Sequence, residues 1–142
     1  MMQREQIMQF LPHRDAMLLV ERAHCVDAQT AEGFYTIRGD EWFLRGHFPQ
    51  HPVVPGVLLC EMMAQSCCVL LGQQMNDGTN KLPMFTGLDK VRFKHPVVPG
   101  DTLRSVCTLT RQKPPFYFAE AKGYVGDTLC VSAAFSFALV EE

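Results

Sequence analysis

A long apolar segment is the feature that most constrains how this chain can fold. Residues 57–75 read VLLCEMMAQSCCVLLGQQM and contain no proline, which predicts a helix of several turns with Gly56 as its N-cap. Apolar residues cover nearly its whole circumference, and a helix that is apolar on all sides must be buried. Its uninterrupted apolar stretches are far shorter than the ~20 residues that a membrane span needs. The rest of the chain is therefore expected to surround this helix.

The segments on either side of the helix have mostly β character. Residues 3–10 are compatible with a short helical turn, and two strands are expected before the helix, at 17–20 and 31–38. After it, strands are expected at 83–94, 102–111, 116–125 and 128–140, the last two joined by a turn at Gly126 and Asp127. No repeat or linker interrupts the pattern. We therefore predict an α+β fold and a single domain over residues 1–142, with one sheet curled around one helix.

Charge and cysteine content exclude several classes of protein. The net charge is −2 and the pI is near 6.2, and there is no Lys/Arg-rich tract, which argues against a nucleic-acid partner. Charges at Arg4, Glu5, Arg14 and Asp15 interrupt any apolar leader, so a cytoplasmic location is expected. The six cysteines form no C-x-x-C pair, and we interpret them as small buried hydrophobic residues rather than metal ligands or disulfides.

The segment just before the helix is a stiff loop that carries a histidine. Residues 46–56 contain three prolines and two glycines, which rule out regular structure and favour a rigid, extended path. His47 lies in this loop between Gly46 and Phe48, where it could be a catalytic base or a structural histidine beside an aromatic ring. His51 is interpreted as an ordinary loop residue, and no acid–base partner is apparent for His13.

A single carboxylate interrupts the apolar helix. Glu61 is the only formally charged residue between Arg45 and Asp77. A carboxyl group that loses hydration favours its protonated form, and glutamate is rarely buried without a reason. The alternative left open is that Glu61 points into solvent or into a salt bridge.

The order of these features suits the elimination of water from a 3-hydroxyacyl thioester. That reaction needs a base for the α-proton, an acid for the leaving hydroxyl, and donors for the enolate-like oxygen. His47 suits the base, and a protonated Glu61 suits the acid. The free N–H groups at the helix start, about a turn and a half before Glu61, suit the third role.

The central string resembles a known family signature. It runs His47-Phe48-Pro49-x-x-Pro52-Val53-x-Pro55-Gly56-Val57-Leu58-x-x-Glu61-x-x-Ala64-Gln65. Similar matches occur at Leu11-Pro12-His13-Arg14, at residues 18–22, at residues 87–94 and at residues 96–101. Together they resemble the bacterial (3R)-hydroxyacyl–acyl carrier protein dehydratases of the Z type. One departure is Asp15-Ala16, where the family usually has an aromatic residue and a proline.

The resemblance implies a fold, a site and partners. The fold would be the hotdog fold, working as dimers or trimers of dimers in fatty acid biosynthesis, with the histidine of one subunit facing the glutamate of the other. On this analogy His47 is the base and Glu61 the acid, and Gln65 orients Glu61 or merely packs the helix. The substrate would arrive on the phosphopantetheine of acyl carrier protein, with no metal or separate cofactor. The substrate would meet Gly56, Val57, Gln65 and Phe48, and the carrier would dock on Arg92 and Lys94 within a locally basic segment.

Two other functions remain open on the same fold. A hotdog acyl thioesterase would use a helix-start oxyanion site and a carboxylate on water, but His47 would have no evident task. A non-catalytic acyl-binding module would gain nothing from a buried Glu61. Release of free thiol without enoyl product would indicate the first, and tight binding of acyl thioesters without turnover would indicate the second.

Overall fold

A computed structural model describes residues 1–9, 11–45, 50–74 and 81–141 of the chain. Among these residues, α-helices are the short α1 at Arg4–Ile7 and the long α2 at Gly56–Gln74. Short 3₁₀ turns lie at Asp15–Met17 and Trp42–Leu44. The strands are β1 Met2–Gln3, β2 Arg22–Cys25, β3 Thr30–Thr36, β4 Lys81–Phe93, β5 Thr102–Lys113, β6 Phe116–Val125 and β7 Thr128–Glu141.

These strands form one antiparallel sheet in the order β1-β2-β3-β5-β6-β7-β4. The long strands alternate between buried and more exposed residues, as a sheet with one covered face requires. In β7 the alternate residues Val131, Ala133, Phe135 and Phe137 are all buried. Strands β5, β6 and β7 are adjacent both in sequence and in the sheet. Strand β4 precedes them in sequence but lies at the edge of the sheet, beside β7.

Helix α2 fills the inner face of the sheet, as its apolar circumference predicts. Most of its side chains from Leu59 to Leu71 are buried, whereas Val57 at its start is 67% exposed. The helix packs tightly against Gly33 of β3, where an added Cβ would lie only 2.0 Å from Ser66 Oγ. The absence of a side chain at Gly33 therefore lets the helix lie close to the sheet. The predicted α+β architecture is confirmed.

Three local predictions were wrong. Residues 17–20 do not form a strand, because the backbone there follows a 3₁₀ turn and then bonds to a side chain of α2. Strand β2 was missed, since its four residues are too few to show an alternating pattern. Gly56 is the first residue of α2 rather than its N-cap, since the carbonyl of Pro55 accepts from the N–H groups of Leu58 and Leu59 at 2.9 and 3.3 Å.

Five of the six cysteines are buried, as interpreted from the sequence, whereas Cys25 is only partly buried, and all six are free thiols. In the described part of the chain, no helix combines the length and apolar character needed to cross a membrane.

A buried carboxylate closes the turn that follows β3. Glu41 is 6% exposed, and its Oε2 accepts from the Tyr35 hydroxyl and the Arg38 N–H, both at 2.9 Å, while its Oε1 accepts from the Gly39 N–H at 2.8 Å. Burial alone would raise the pKa of Glu41, but these donors outweigh it and hold the pKa below its ordinary value. The carboxylate thus fixes the turn that leads to the 3₁₀ turn at Trp42–Leu44 and on toward residue 46.

We predict that Glu41→Gln lowers the free energy of unfolding by about 2–3 kcal/mol at pH 7, because an amide group would replace an oxygen that accepts two hydrogen bonds. A carboxylate with a depressed pKa stabilises the fold above its unfolded pKa, near the ordinary value of 4.5, and loses that contribution as pH falls through the folded pKa. The difference between wild type and variant in urea unfolding should therefore shrink below about pH 4.5. Asp40→Asn, at a side chain that is 80% exposed, is the control and should show no such difference.

Candidate active site

Glu61 projects from the second turn of α2 into a crowded corner between the helix and the segment that precedes β2. Its side chain is 22% exposed, so the carboxylate is partly buried and has lost part of its hydration. Its Oε2 lies 2.9 Å from Gln65 Nε2 and 3.4 Å from His13 Nε2. Glu61 is therefore neither fully buried nor freely exposed, and its contact with His13 is an ion pair only if that imidazole is protonated.

Gln65 is 1% exposed, and its amide makes three hydrogen bonds. Its Oε1 accepts from the Leu19 N–H at 2.8 Å, while Nε2 donates to the Met17 carbonyl at 2.8 Å and to Glu61 Oε2 at 2.9 Å. A backbone N–H can only donate and a carbonyl can only accept, so the two backbone contacts fix which end of the amide is oxygen. The group that faces Glu61 is therefore a donor.

The same hydrogen bonds hold residues 11–19 across the helix. The Gln65 side chain accepts from the Leu19 N–H and donates to the Met17 carbonyl, so it satisfies the backbone of this segment as a neighbouring strand would. The Arg14 side chain stabilises the first half of the segment by donating to the carbonyls of Leu11 at 2.6 Å, His13 at 2.7 Å and Met8 at 3.0 Å. The position of His13 is thereby set on both sides.

His13 is a site residue that the sequence analysis did not identify. No acid–base partner was expected for it, and this was wrong, since its Nε2 lies 3.4 Å from Glu61 Oε2. Its Nδ1 is buried and has no hydrogen-bond partner among the described residues. The signal that could have indicated this role is the Leu-Pro-His-Arg match itself, but 48 positions separate the two residues and sequence spacing alone does not join them.

A small pocket of about 60 Å³ opens beside Glu61. His13, Glu61 and Gln65 supply its polar side, and its apolar side consists of Ala64, Cys68, Pro83, Phe85 and Phe137. Burial, followed by the charge of Glu61, raises the pKa of Cys68 well above its ordinary value. The Cys68 thiol therefore stays protonated and is not a nucleophile for acyl transfer.

A second, larger groove of about 370 Å³ lies at the start of α2. Its lining includes Gly56, Phe93 and Lys94. The Phe93 ring rests on Gly56 so closely that an added Cβ would lie 2.6 Å from its carbons. Within the described residues, the N–H groups of Gly56 and Val57 have no hydrogen-bond acceptor, as expected for the first turn of a helix.

A regular strand would place Lys90 and Lys94 on one face, but in the structure they line different grooves. A bulge shifts the register between Asp89 and Arg92, and Lys90 within it has a φ of 53°. Lys90 lines a groove on the outer face of the sheet, whereas Lys94 lines the groove at the helix start. Arg92, opposite Ser132 of β7, is exposed.

Two predicted site residues, His47 and Phe48, lie in the segment 46–49, outside the described residues. Among the residues that are described, no cluster of three His, Cys, Asp or Glu side chains is arranged to hold a metal ion. Of the remaining predicted set, the structure brings Glu61 and Gln65 together, and it places Gly56 and Lys94 at a separate groove.

The fold and sequence were compared with known proteins. Residues 11–134 match the family of FabA-like domains. In solved structures, the dehydratase heterocomplex ApeI:P from Xenorhabdus doucetiae contains a chain with a TM-score of 0.84 and 24% identity, covering 96% of this chain and 91% of that one. This likeness confirms the predicted hotdog fold.

Sequence relatives are closer. A 3-hydroxyacyl-[acyl-carrier-protein] dehydratase FabZ from Macrococcus caseolyticus is 40% identical, with 97% of this chain and 95% of the relative covered. The protein of the same name from Natranaerobius thermophilus is 42% identical, with 96% of each chain covered. The chain therefore belongs to the FabA-like family and, within it, to the FabZ-type dehydratases.

Proposed function

We propose that the active site of this dehydratase is shared between two subunits, with Glu61 of one as the acid and the partner's His47 as the base. The enzyme converts 3-hydroxyacyl groups on acyl carrier protein into trans-2-enoyl groups, as a step of fatty acid synthesis. The observation that carries the proposal is that Gln65 holds the Glu61 carboxyl by a hydrogen bond of defined polarity at the mouth of a pocket.

The elimination has a simple balance. The base takes the α-proton from C2, the electron pair forms the C2–C3 double bond, and the C3–O bond breaks. The leaving hydroxyl takes a proton from Glu61 and departs as water, so the carboxyl ends the step ionised and the imidazole ends it protonated. Transfer of the proton back through solvent or substrate restores both groups for the next cycle.

The arrangement of the two cavities supports a site that is shared between chains. Gly56 and Glu61 are five residues apart on α2, so they project about 140° apart around the helix axis. The groove beside Gly56 and the pocket beside Glu61 have no lining residue in common. A single chain thus separates the oxyanion donors from the acid, and a second chain can supply the missing half of each site.

The free edge of the sheet is the surface proposed for that second chain. Strand β4 is 13 residues long, and among the described strands it pairs with β7 alone. Its apolar side chains Met84, Phe85, Leu88 and Phe93 are between 45% and 57% exposed. A long apolar edge strand favours pairing with another chain, and a closed symmetric dimer would satisfy it.

The carrier-bound substrate is proposed to enter by the groove at the start of α2. Lys94 at this groove and the exposed Arg92 would attract an acidic carrier, and the N–H groups of Gly56 and Val57 would polarise the thioester oxygen. We propose that the substrate, carried on the phosphopantetheine arm of the carrier, also meets Phe48, and that the enzyme needs no resident cofactor. We also propose the cytoplasm as the location, where such a carrier would be met.

We predict that His47→Ala and Glu61→Gln each reduce kcat for dehydration of a carrier-bound 3-hydroxyacyl substrate by about 10²–10⁴-fold, the usual contribution of a positioned base or acid. The readout is enoyl thioester absorbance. Glu120→Gln is a matched control because this glutamate is exposed on β6, and it should retain full activity. Near-normal turnover of Glu61→Gln would contradict the acid assignment.

We predict that Leu88→Lys weakens dimerisation, because it places a charge within the proposed apolar edge. A cost of about 2 kcal/mol or more corresponds to roughly a thirtyfold rise in the dimer dissociation constant. Val26→Lys is the control. Val26 is 55% exposed, similar to the 47% of Leu88, but it lies directly after β2, away from the β4 edge. Sedimentation velocity across a concentration series measures both, and equal effects of the two changes would contradict the edge assignment.

A further inference from the structure

We propose that His13 is a positioning residue that donates a hydrogen bond from Nε2 to Oε2 of Glu61, so that the catalytic proton is carried by Oε1. This inference rests on the proposed function, in which Glu61 is the acid. It assigns a task to a residue that sequence spacing did not connect with the reaction.

The first support is the way in which His13 is held. Arg14 binds the carbonyl of His13 at 2.7 Å, and Gln65 anchors the following residues Met17 and Leu19 to α2. The distance of 3.4 Å between His13 Nε2 and Glu61 Oε2 is longer than a formed hydrogen bond of about 2.7–3.2 Å. Such contacts are often long in free enzymes and shorten when substrate is bound. A shift of a few tenths of an ångström would close this one.

The second support is the buried Nδ1, which indicates the protonation state of the ring. Nδ1 has no hydrogen-bond partner among the described residues. With only the described residues to supply an acceptor, both the imidazolium and the Nδ1–H tautomer would bury an unsatisfied N–H group, which is costly and rare. The neutral Nε2–H tautomer leaves only an unused lone pair at Nδ1. It also directs its single donor to Glu61.

The same reasoning excludes His13 as the base for the α-proton. A base needs a lone pair that faces the substrate, but Nε2 faces the carboxylate of Glu61 and Nδ1 is enclosed by protein. His13 therefore acts through Glu61 and not on substrate, and His47 keeps the proposed role of base.

The consequence for Glu61 is an asymmetry between its two oxygens. Oε2 already accepts from Gln65 Nε2, whose polarity is fixed by the backbone of residues 17 and 19. A second donor from His13 occupies the remaining acceptor capacity on that side. The proton of the neutral acid is then confined to Oε1, and the two donors stabilise the carboxylate that forms once this proton is transferred.

The test is a double-mutant cycle on dehydration of a carrier-bound 3-hydroxyacyl substrate. His13→Leu should lower kcat about 10–100-fold, as expected for loss of a hydrogen bond to a charged group, with KM changed by less than about twofold. His13→Gln, which can present an Nε2–H at a similar position, should restore most of the loss. In the Glu61→Gln background, His13→Leu should change the residual rate by less than about twofold.

The control is His24→Leu. His24 also faces a glutamate, with Nε2 3.0 Å from Glu32 Oε1, but this pair joins β2 to β3 away from the site, so kcat should not change. The inference would be overturned if His13→Leu kept kcat near wild type, if His13→Gln were equally impaired, or if the loss persisted in the Glu61→Gln background. In those cases a low rate for Glu61→Gln would still uphold the proposed function, whereas a normal rate for Glu61→Gln would overturn both.

A second measurement uses the wild-type protein, so it does not require that a substituted protein folds. Ring ¹⁵N NMR of the wild-type protein at neutral pH should show His13 with a protonated Nε2 and an unprotonated Nδ1. A protonated Nδ1 at that pH would overturn the inference whatever the kinetic result.

Discussion

The amide of Gln65 is the interaction on which the rest of the site depends. Its hydrogen bonds to Met17 and Leu19 fix the segment before β2 on the central helix, and the remaining N–H fixes the carboxyl of Glu61. Because the amide is buried and every one of these bonds has a defined polarity, it cannot rotate without leaving backbone groups unsatisfied. One side chain thus links the fold of the N-terminal segment to the carboxyl group that is proposed as the acid.

The fold is consistent with the proposed site shared between two chains. Among the described residues, one opening lies at the first turn of the helix beside Gly56 and another at its second turn beside Glu61. The sheet ends in β4, whose apolar edge is open. Pairing through this edge would combine two openings that a single chain keeps apart, so oligomerisation and catalysis would depend on the same surface.

Much of the architecture follows from patterns that the sequence displays openly. The apolar circumference of residues 57–75 predicts burial, and the alternation in 116–125 and 128–140 predicts strands with nearly the observed bounds. Alternation fails to describe the end of β4, because a bulge at Lys90 reverses the direction of its neighbours. The apolar run at 17–20 was wrongly predicted to be a strand, because a buried side chain replaces a strand there as the hydrogen-bonding partner. Glu61 and Gln65 could be paired from helical spacing, whereas the approach of His13 depends on tertiary packing.

The most direct test of the shared site is subunit complementation between His47→Ala and Glu61→Gln. If the two variants are unfolded, mixed in equal amounts and refolded, half of the dimers should be heterodimers with one intact site out of two. The mixture should then recover about a quarter of wild-type dehydratase activity, far above either variant alone. Activity no higher than the average of the two separate variants would show that both residues act within one chain and would contradict the account.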